Sequence, residues 1–594
     1  MQDPGSFEVT LRSPWAGPWR RFRNPFRIVA THDVADVRRA LAEIDAAVRD
    51  GAYAAGFVTY EAAGAFGLPV QHPAPGLPLV CFGLFAPESL ESLTRFPAEG
   101  HASLGEWQPS IDHHAYLRAI AAIKSRIEAG DTYQINFTFR LTAPFSGNPP
   151  ALMRDLYAGQ AGAWSAFVDA GHYVICSASP ELFFSLEGDR LVCRPMKGTA
   201  PRGYWPAQDE AHGDALRASE KNRAENVMIV DMVRNDVGRV ARVGTVAVPS
   251  LFDVERYPLQ WQMTSTVTAA AEQRSLPRLF EAMFPSGSIT GAPKHSAMGI
   301  IRALETTPRG IYTGAIGYLS PRGRAHFSVA IRSVVIDRIA GTAEFGTGSG
   351  IVWDSVDRDE YEECLLKARV IGSVGPRVVQ SAAYVTGDPP DFSLLETILW
   401  TPATGFALLD RHIARIRASA ACFRFPCDEA GIRGMLDAAV EDLRGPARLR
   451  LLLAGDGSVL CEAGDLTALN DPLRVALAVA PVDATDVFLY HKTTRRAVYE
   501  RARASRPEAA SVILWNETGE VTEATESNIV VSRGGEKITP PIASGLLPGT
   551  LRAELLERGE IREGSVSIAD LRAAEEVWLI NSVRGWVRVE LLPL

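Results

Sequence analysis

Between Gly375 and Pro390 the apolar patterning that runs through the rest of this chain stops. Gly375, Pro376, Gly387, Pro389 and Pro390 all fall in that stretch. Proline has no amide hydrogen to donate, and glycine loses the most backbone entropy on ordering, so the stretch suits neither a sheet nor a helix interior. A chain of 594 residues is too long for one hydrophobic core. The break is where it should divide. We expect one domain over residues 1–374, a linker over 375–390 and a second domain over 391–594.

Both sides of the break read as mixed α/β. Val37, Leu41, Ile44 and Val48 recur at helical spacing within Val34–Arg49. Further helices are expected over His114–Gly130, Asp214–Arg239 and Glu360–Val370. Gly56–Tyr60, Leu79–Phe85 and Asp131–Arg140 read as strands, as do 311–318, 327–336 and 342–353. A net charge of −9 argues against a nucleic-acid partner. Seven scattered cysteines without a CxxC pair read as reduced thiols of a cytosolic protein. No signal peptide is expected at Met1-Gln-Asp-Pro-Gly, and no apolar run is long enough for a membrane span.

One lysine sits in the tight Pro/Gly frame Arg194-Pro-Met-Lys-Gly-Thr-Ala-Pro-Arg202. Upstream, Leu182–Leu186 and Leu191–Arg194 flank the turn Glu187-Gly-Asp189, the pattern of a hairpin. Folding it about 188–189 sets position 181 opposite position 196, so Glu181 and Lys197 become neighbours. A carboxyl beside an amine can act as acid and nucleophile, although spacing alone favours a solvated ion pair. Glu360 and Glu363 share a helix face, and Glu225 opens the apolar part of another helix. Converging carboxylates without Cys or His suit a hard cation such as Mg²⁺; on sequence alone, exposed helix acids are the better reading. Likewise the lysine of Tyr490-His-Lys-Thr-Thr494 would by itself read as solvated.

Taken together, these stretches carry a resemblance. The lysine frame, Glu225-Asn-Val-Met-Ile-Val-Asp-Met-Val-Arg-Asn-Asp236, Phe284-Pro-Ser-Gly-Ser-Ile-Thr-Gly-Ala-Pro-Lys294, Phe327–Ser333 and Asp359–Cys364 are similar, in order, to the motifs of chorismate-utilising enzymes. They span about 110–372, and the lysine resembles that of the aminodeoxychorismate synthase branch, where related anthranilate and isochorismate enzymes have Pro-x-Ala-Gly-Thr. The resemblance implies a β-sandwich-like core with surrounding helices. It implies that Glu225, Glu360 and Glu363 hold Mg²⁺, and that Tyr312, Arg332, Gly348 and Gly350 contact chorismate. Lys197 would attack the ring while Glu181 protonates the departing hydroxyl. No glutaminase motif is visible, so ammonia would come from solution or a separate glutamine amidotransferase. The sequence departs from the family at Trp261-Gln-Met-Thr-Ser-Thr266, where Gln262 replaces a histidine.

Beyond the break, Phe392–Leu399, Leu409–Arg415, Tyr490–Thr494, Glu520–Asn528, Gly545–Arg552 and Leu579–Gly585 resemble class IV pyridoxal-phosphate enzymes. That implies a two-subdomain α+β fold and leaves room for a homodimer through this domain. Lys492 falls at the Schiff-base position, Glu523 where a carboxylate meets the pyridine nitrogen, and Arg415, Thr550, Leu551 and Ser582 around the phosphate. Aminodeoxychorismate lyase, branched-chain transaminase and D-amino-acid transaminase stay open on motifs alone. A non-catalytic scaffold is a further alternative. Linkage to the first domain favours the lyase, and with it a bifunctional route from chorismate to 4-aminobenzoate.

Overall fold

The computed structural model describes residues 7–12, 19–160, 162–257, 260–356, 360–361, 364–365, 392–466 and 472–593; the expected linker at 375–390 lies outside them. Contacts divide the chain into two compact units. One comprises Met1–Arg202 and His212–Gly387, the other Asp388–Leu594 with Gly203–Ala211.

In the first unit two antiparallel sheets pack face to face. The larger runs Gly291–Ala292, Gln134–Gly147, Thr342–Ile351, Ser333–Asp337, Tyr173–Ser177, Ala166–Ala170, Phe7–Leu11, Trp19–Arg23, Leu90–Leu93. The other runs Met196–Pro201, Gln260–Ala270, Arg190–Arg194, Leu182–Glu187, Arg324–Val329, Ala315–Ser320, Tyr53–Val58, Val80–Phe85, Arg27–Thr31. Alternating side chains from both, such as Val9, Phe22 and Val168 against Phe57, Cys81 and Ile316, share one core. Helices cover the outer faces. Leu41, Ile44, Ile229, Val233 and Phe280 pack on the second sheet. Tyr116, Ile120, Leu152, Leu156 and Ile301 pack on the first. The expected sandwich with surrounding helices is therefore the fold.

Local chemistry explains most helix limits. Val37–Arg49 buries Val37, Leu41, Ile44 and Val48, the apolar positions read from spacing. His113–Glu128 starts on Asp112, whose side chain accepts from the Ala115 amide, and Gly130 beyond its end has φ 78°. The expected helix over Asp214–Arg239 is two, Pro206–Ala218 and Glu220–Gly238. Ser219 separates them because its hydroxyl caps the second at Asn222.

The hairpin forms, with Gly188 at φ 64°, but its register differs from the expectation of 181 opposite 196. A bulge between Leu182 and Ser185 shifts the pairing and sets Leu182 opposite Arg194. Pairing between those strands ends there. Lys197 belongs to a third strand, Met196–Pro201, which pairs with Gln260–Ala270.

The second unit holds two sheets. A four-stranded one, with Leu394–Thr401 and Ala447–Leu453 at its centre, lies under helices Leu409–Phe423 and Glu429–Val440. An eight-stranded one is built on Leu473–Leu477, Ser511–Trp515, Asn528–Arg533 and Val577–Asn581. This is the expected two-subdomain arrangement. Among the described residues no helix is long and apolar enough to cross a membrane.

Candidate active sites

The first site lies where the end strands of the two sheets in the first unit meet. A cavity of about 300 Å³ is lined there by Glu181, Lys197, Glu225, Tyr312, Arg332, Gly348, Gly350 and Glu360. These are the sequence candidates for this site save Glu363, which is outside the described residues. Residues from 181 to 360 thus converge on one space.

The main chain at Lys197 is held from several sides. Asn226 Nδ2 donates to the Lys197 carbonyl at 3.4 Å, and Ser265 Oγ fixes Asn226 Oδ1 at 2.6 Å. Gln262, in the place of the family histidine, donates through Nε2 to the Gly198 carbonyl at 3.0 Å. Gly198 has φ 95°, a conformation that side-chain-bearing residues resist. The lysine tip reaches the strand Thr342–Ile351: a Cβ built on Gly350 would stand 2.5 Å from Lys197 Nζ and 2.5 Å from Gln134 Nε2. Gly350 is thus the gap into which the amine fits.

Glu181 is 3% exposed, and burial pushes its carboxyl up to about 7 despite the Ser288 hydroxyl and the Lys197 charge, which pull it down. Ser288 Oγ donates to Glu181 Oε1 at 2.5 Å and contacts Ser286 Oγ at 3.0 Å. An acid half-protonated near neutrality, facing an amine, is arranged for proton transfer.

The rest of the wall is set by a buried ionic group. Arg140 and Arg309, each 1% exposed, share Glu305. Arg309 also donates to the carbonyls of Asn136 at 2.7 Å and Ile289 at 2.8 Å, both at the cavity. The Arg140 guanidinium lies 5.0 Å from the centre of the Tyr312 ring. That ring rests against Gly346, where a Cβ would come within 2.1 Å of it. Arg332 and Thr313 adopt φ 53° and 63°, the left-handed region that non-glycine residues avoid.

Glu225 and Glu360 offer oxygen donors to the same cavity, whose lining among the described residues contains no histidine or cysteine. Ser355 Oγ donates to Glu360 Oε1 at 2.8 Å. Such a donor set fits Mg²⁺ in kind.

The second site gathers around Lys492. Its carbonyl accepts from the Leu395 amide at 2.9 Å, which ties it to the smaller sheet of its unit. Burial, with Arg415 and Arg496 nearby, lowers its amine to about 8. Glu523, 3% exposed on the strand Val521–Ala524, accepts from Tyr499 Oη at 2.8 Å, and burial raises it to about 7. Glu396, 1% exposed, takes Arg415 Nε at 2.8 Å and Nη2 at 2.6 Å, and meets His412 Nδ1 at 2.7 Å. Thr550 opens the helix Thr550–Glu557 and lies 3.4 Å from His412 Nε2; Leu551 follows it on that helix, and Ser582 follows the strand Val577–Asn581. A fixed guanidinium, a helix start, a half-buried lysine of lowered basicity and a buried carboxylate are the groups a pyridoxal phosphate needs.

Sequence reading assigned no role to Asn136, Gln262, Ser288, Gly346, Glu396, His412 or Tyr499. Gln262, Ser288, Glu396 and His412 stand inside the motif stretches, so their positions are legible in the sequence while their partners are not. Tyr499 had no local signal.

Residues 20–373 match the family of chorismate binding enzymes, and residues 393–592 match class IV amino-transferases. The chain belongs to the chorismate-binding enzymes, with a class IV aminotransferase domain joined to it, and that domain implies pyridoxal phosphate. It is 39% identical over 283 residues to aminodeoxychorismate synthase component 1 of Escherichia coli, covering 48% of this chain and 62% of the relative. It is 40% identical over 286 residues to aminodeoxychorismate synthase of Streptomyces griseus, covering 47% of this chain and 39% of the relative. It therefore spans less than two thirds of either relative. The structure of anthranilate synthase component I from Streptococcus pneumoniae superimposes with a TM-score of 0.52 at 25% identity, covering 62% of this chain and 93% of that one.

Proposed function

We propose that the first unit converts chorismate and ammonia to 4-amino-4-deoxychorismate, and that the class IV domain removes pyruvate from it to leave 4-aminobenzoate. The observation that carries the reading is the amine of Lys197 lying in the cavity with buried Glu181. Overall similarity does not choose among chorismate enzymes, since an anthranilate synthase shares the fold. A lysine amine at this position supports the aminating reading.

The chemistry follows from the groups present. Neutral Lys197 Nζ adds to the ring carbon next to the carboxylated one. The ring double bonds shift, the carbon–oxygen bond to the 4-hydroxyl breaks, and Glu181 gives the departing oxygen its proton, so that water leaves. Ammonia then adds at the vacated carbon, the double bonds shift back, and Lys197 departs as the amine. Arg332 is suited to a substrate carboxylate by bidentate pairing. Glu225 and Glu360, with Glu363, would hold Mg²⁺, which supplies positive charge for the second carboxylate. A separate glutamine amidotransferase subunit as the ammonia source is supported by the component 1 relative.

In the second unit, pyridoxal phosphate supplies an electron-withdrawing ring when bound. Lys492 would carry it and move the proton at the substrate carbon, its lowered basicity leaving it partly neutral near pH 8. Glu523 would face the pyridine nitrogen. Arg415 and the start of Thr550–Glu557 would hold the phosphate, with Leu551 and Ser582 beside them.

The test is a product assay on the full chain with chorismate, Mg²⁺ and ammonium, with and without pyridoxal phosphate. We expect 4-aminobenzoate and pyruvate together, and only with the cofactor. Accumulation of aminodeoxychorismate in both arms would overturn the lyase assignment and point to a transaminase or a scaffold. Anthranilate or isochorismate would overturn the role of Lys197.

A further inference from the structure

The second unit includes one stretch from much earlier in the chain, Gly203–Ala211. Its backbone is closely built. Trp205 precedes the helix Pro206–Ala218, and its carbonyl accepts from the Asp209 amide at 3.0 Å. The side chains of Gln208 and Asp209 reach back to the amides of Tyr204 at 2.8 Å and Gly203 at 2.9 Å. Proline at the first helical position and such return bonds order a helix start locally. At Gly203 a Cβ would stand 2.2 Å from the Asp209 nitrogen, so only a residue without one fits there.

The two aromatic side chains of this stretch meet one target. The Tyr204 ring lies 5.5 Å from that of Tyr490 at an angle of 13°, and the Trp205 ring lies 5.3 Å from it at 25°. Nearly parallel rings at these separations are offset stacks, an arrangement that aromatic quadrupoles favour. Tyr490 is 2% exposed, and its hydroxyl donates to the Ala484 carbonyl at 2.7 Å.

Tyr490 leads to Lys492. Residues 490–492 belong to no helix or strand, so no ladder of backbone bonds sets their course. Each has its own anchor. Tyr490 has the two stacks. His491 Nδ1 lies 2.9 Å from Ser419 Oγ, and its ring meets the Phe423 ring edge to face. The Lys492 carbonyl accepts from the Leu395 amide at 2.9 Å. Displacing a reacting amine by about 1 Å costs about a hundredfold in rate, so the course of this stretch bears on what the lysine can do.

We propose that Tyr204 and Trp205 are positioning residues for Lys492. Stacked on Tyr490, they set the backbone from which the lysine amine reaches a cofactor aldehyde. The proposal rests on reading Lys492 as the cofactor lysine. It requires a flat ring at 204 and 205, which phenylalanine supplies and leucine does not.

The test uses the full chain freed of cofactor and two probes, pyridoxal 5'-phosphate and pyridoxine 5'-phosphate. Both carry the ring and the phosphate. Only the first has the aldehyde, with which the lysine amine condenses as water leaves. The ratio of their affinities, measured by equilibrium dialysis, therefore reports the placing of Lys492 apart from the rest of the site. With Tyr204→Leu and Trp205→Leu combined, we expect that ratio to fall about tenfold, the worth of two stacks, while pyridoxine phosphate binds as before. Tyr204→Phe with Trp205→Phe should keep the ratio. Equal loss of both probes in the leucine variant, an unchanged ratio there, or a fall in the phenylalanine variant as large as with leucine would each overturn the proposal. If the leucine variant fails to fold, hydrogen exchange on the wild-type chain decides. Coupling is reciprocal, so the amides of 203–211 should exchange more slowly with pyridoxal phosphate than with pyridoxine phosphate bound, and equal exchange would overturn the proposal. If the wild-type chain binds neither probe, the cofactor reading fails and the proposal with it, whereas binding of both with an unchanged ratio in the leucine variant overturns the proposal alone.

Discussion

Replacing Gly350 by alanine separates the placing of Lys197 from the stability of the fold. The added Cβ would stand 2.5 Å from Lys197 Nζ and 2.5 Å from Gln134 Nε2, where ordinary contacts begin at 3.4 Å. Each tip must retreat by about 1 Å, in line with the contact distances of close-packed interiors. Both are ends of flexible side chains, so the backbone of Thr342–Ile351 need not move. Alanine in a strand is also preferred over glycine by about 0.5–1 kcal/mol, so folding should not suffer. A displacement of about 1 Å at a reacting atom costs about a hundredfold in rate, or nearly 3 kcal/mol of barrier. We therefore expect turnover of chorismate with ammonium to fall about a hundredfold while the calorimetric melting temperature stays within about 2 °C. Gly348→Ala is the control. Its Cβ would stand 2.4 Å from the Phe137 carbonyl oxygen, a fixed atom of the neighbouring strand, so this change should destabilise the first unit as well. If Gly350→Ala retains a third of the activity or more, the amine is not aimed through that gap, and the steric reasoning is wrong.

Other outcomes can be stated briefly. In Ser288→Ala, Glu181 loses the hydroxyl that holds it down, so the alkaline limb of the amination rate should move up by about half to one pH unit; an unmoved limb would show that another group supplies the proton. Glu396→Gln leaves Arg415 and His412 without their shared carboxylate and should cost about 3–5 kcal/mol by denaturant titration. The sign with pH follows from its depressed value of about 2: its contribution is complete above the usual 4.5 and is lost as pH falls toward about 2, a loss the variant should no longer display in acid unfolding. Chelation should stop chorismate consumption, reversibly on adding Mg²⁺, yet leave the reaction of supplied aminodeoxychorismate intact; equal loss of both would place the metal elsewhere.

Much of this arrangement can be read from the chain because each motif carries its own local rule. Val37, Leu41, Ile44 and Val48 predict a helix face by spacing, and that face is buried. The stretch from Gly375 to Pro390 reads as a break because its prolines and glycines disfavour helix and sheet interiors. Pairing register is harder. The bulge at Leu182–Ser185 depends on how the strand meets Arg324–Val329 on its other side, which hairpin spacing does not encode. Partners across the fold are harder still. Tyr499 and Glu523 are 24 residues apart and meet only once the larger sheet of the second unit has formed. Arg309 meets Asn136, which is 173 residues away. A buried charge announces itself by residue type, whereas the atom that neutralises it is chosen by topology.

Arg332 at the first cavity and Thr313, next to the cavity residue Tyr312, both lie in the left-handed region, and this has a bearing on laboratory evolution. Glycine would adopt either conformation without the Cβ clash that each residue now endures, a relief on the order of 1 kcal/mol. At Thr313 the exchange would also free the link beside Tyr312; at Arg332 it would delete a guanidinium. At Thr313 glycine would also delete the buried hydroxyl that bonds the Tyr312 carbonyl and Arg309, so selection for heat tolerance should keep threonine there, while Arg332 should persist only while chorismate turnover is also selected.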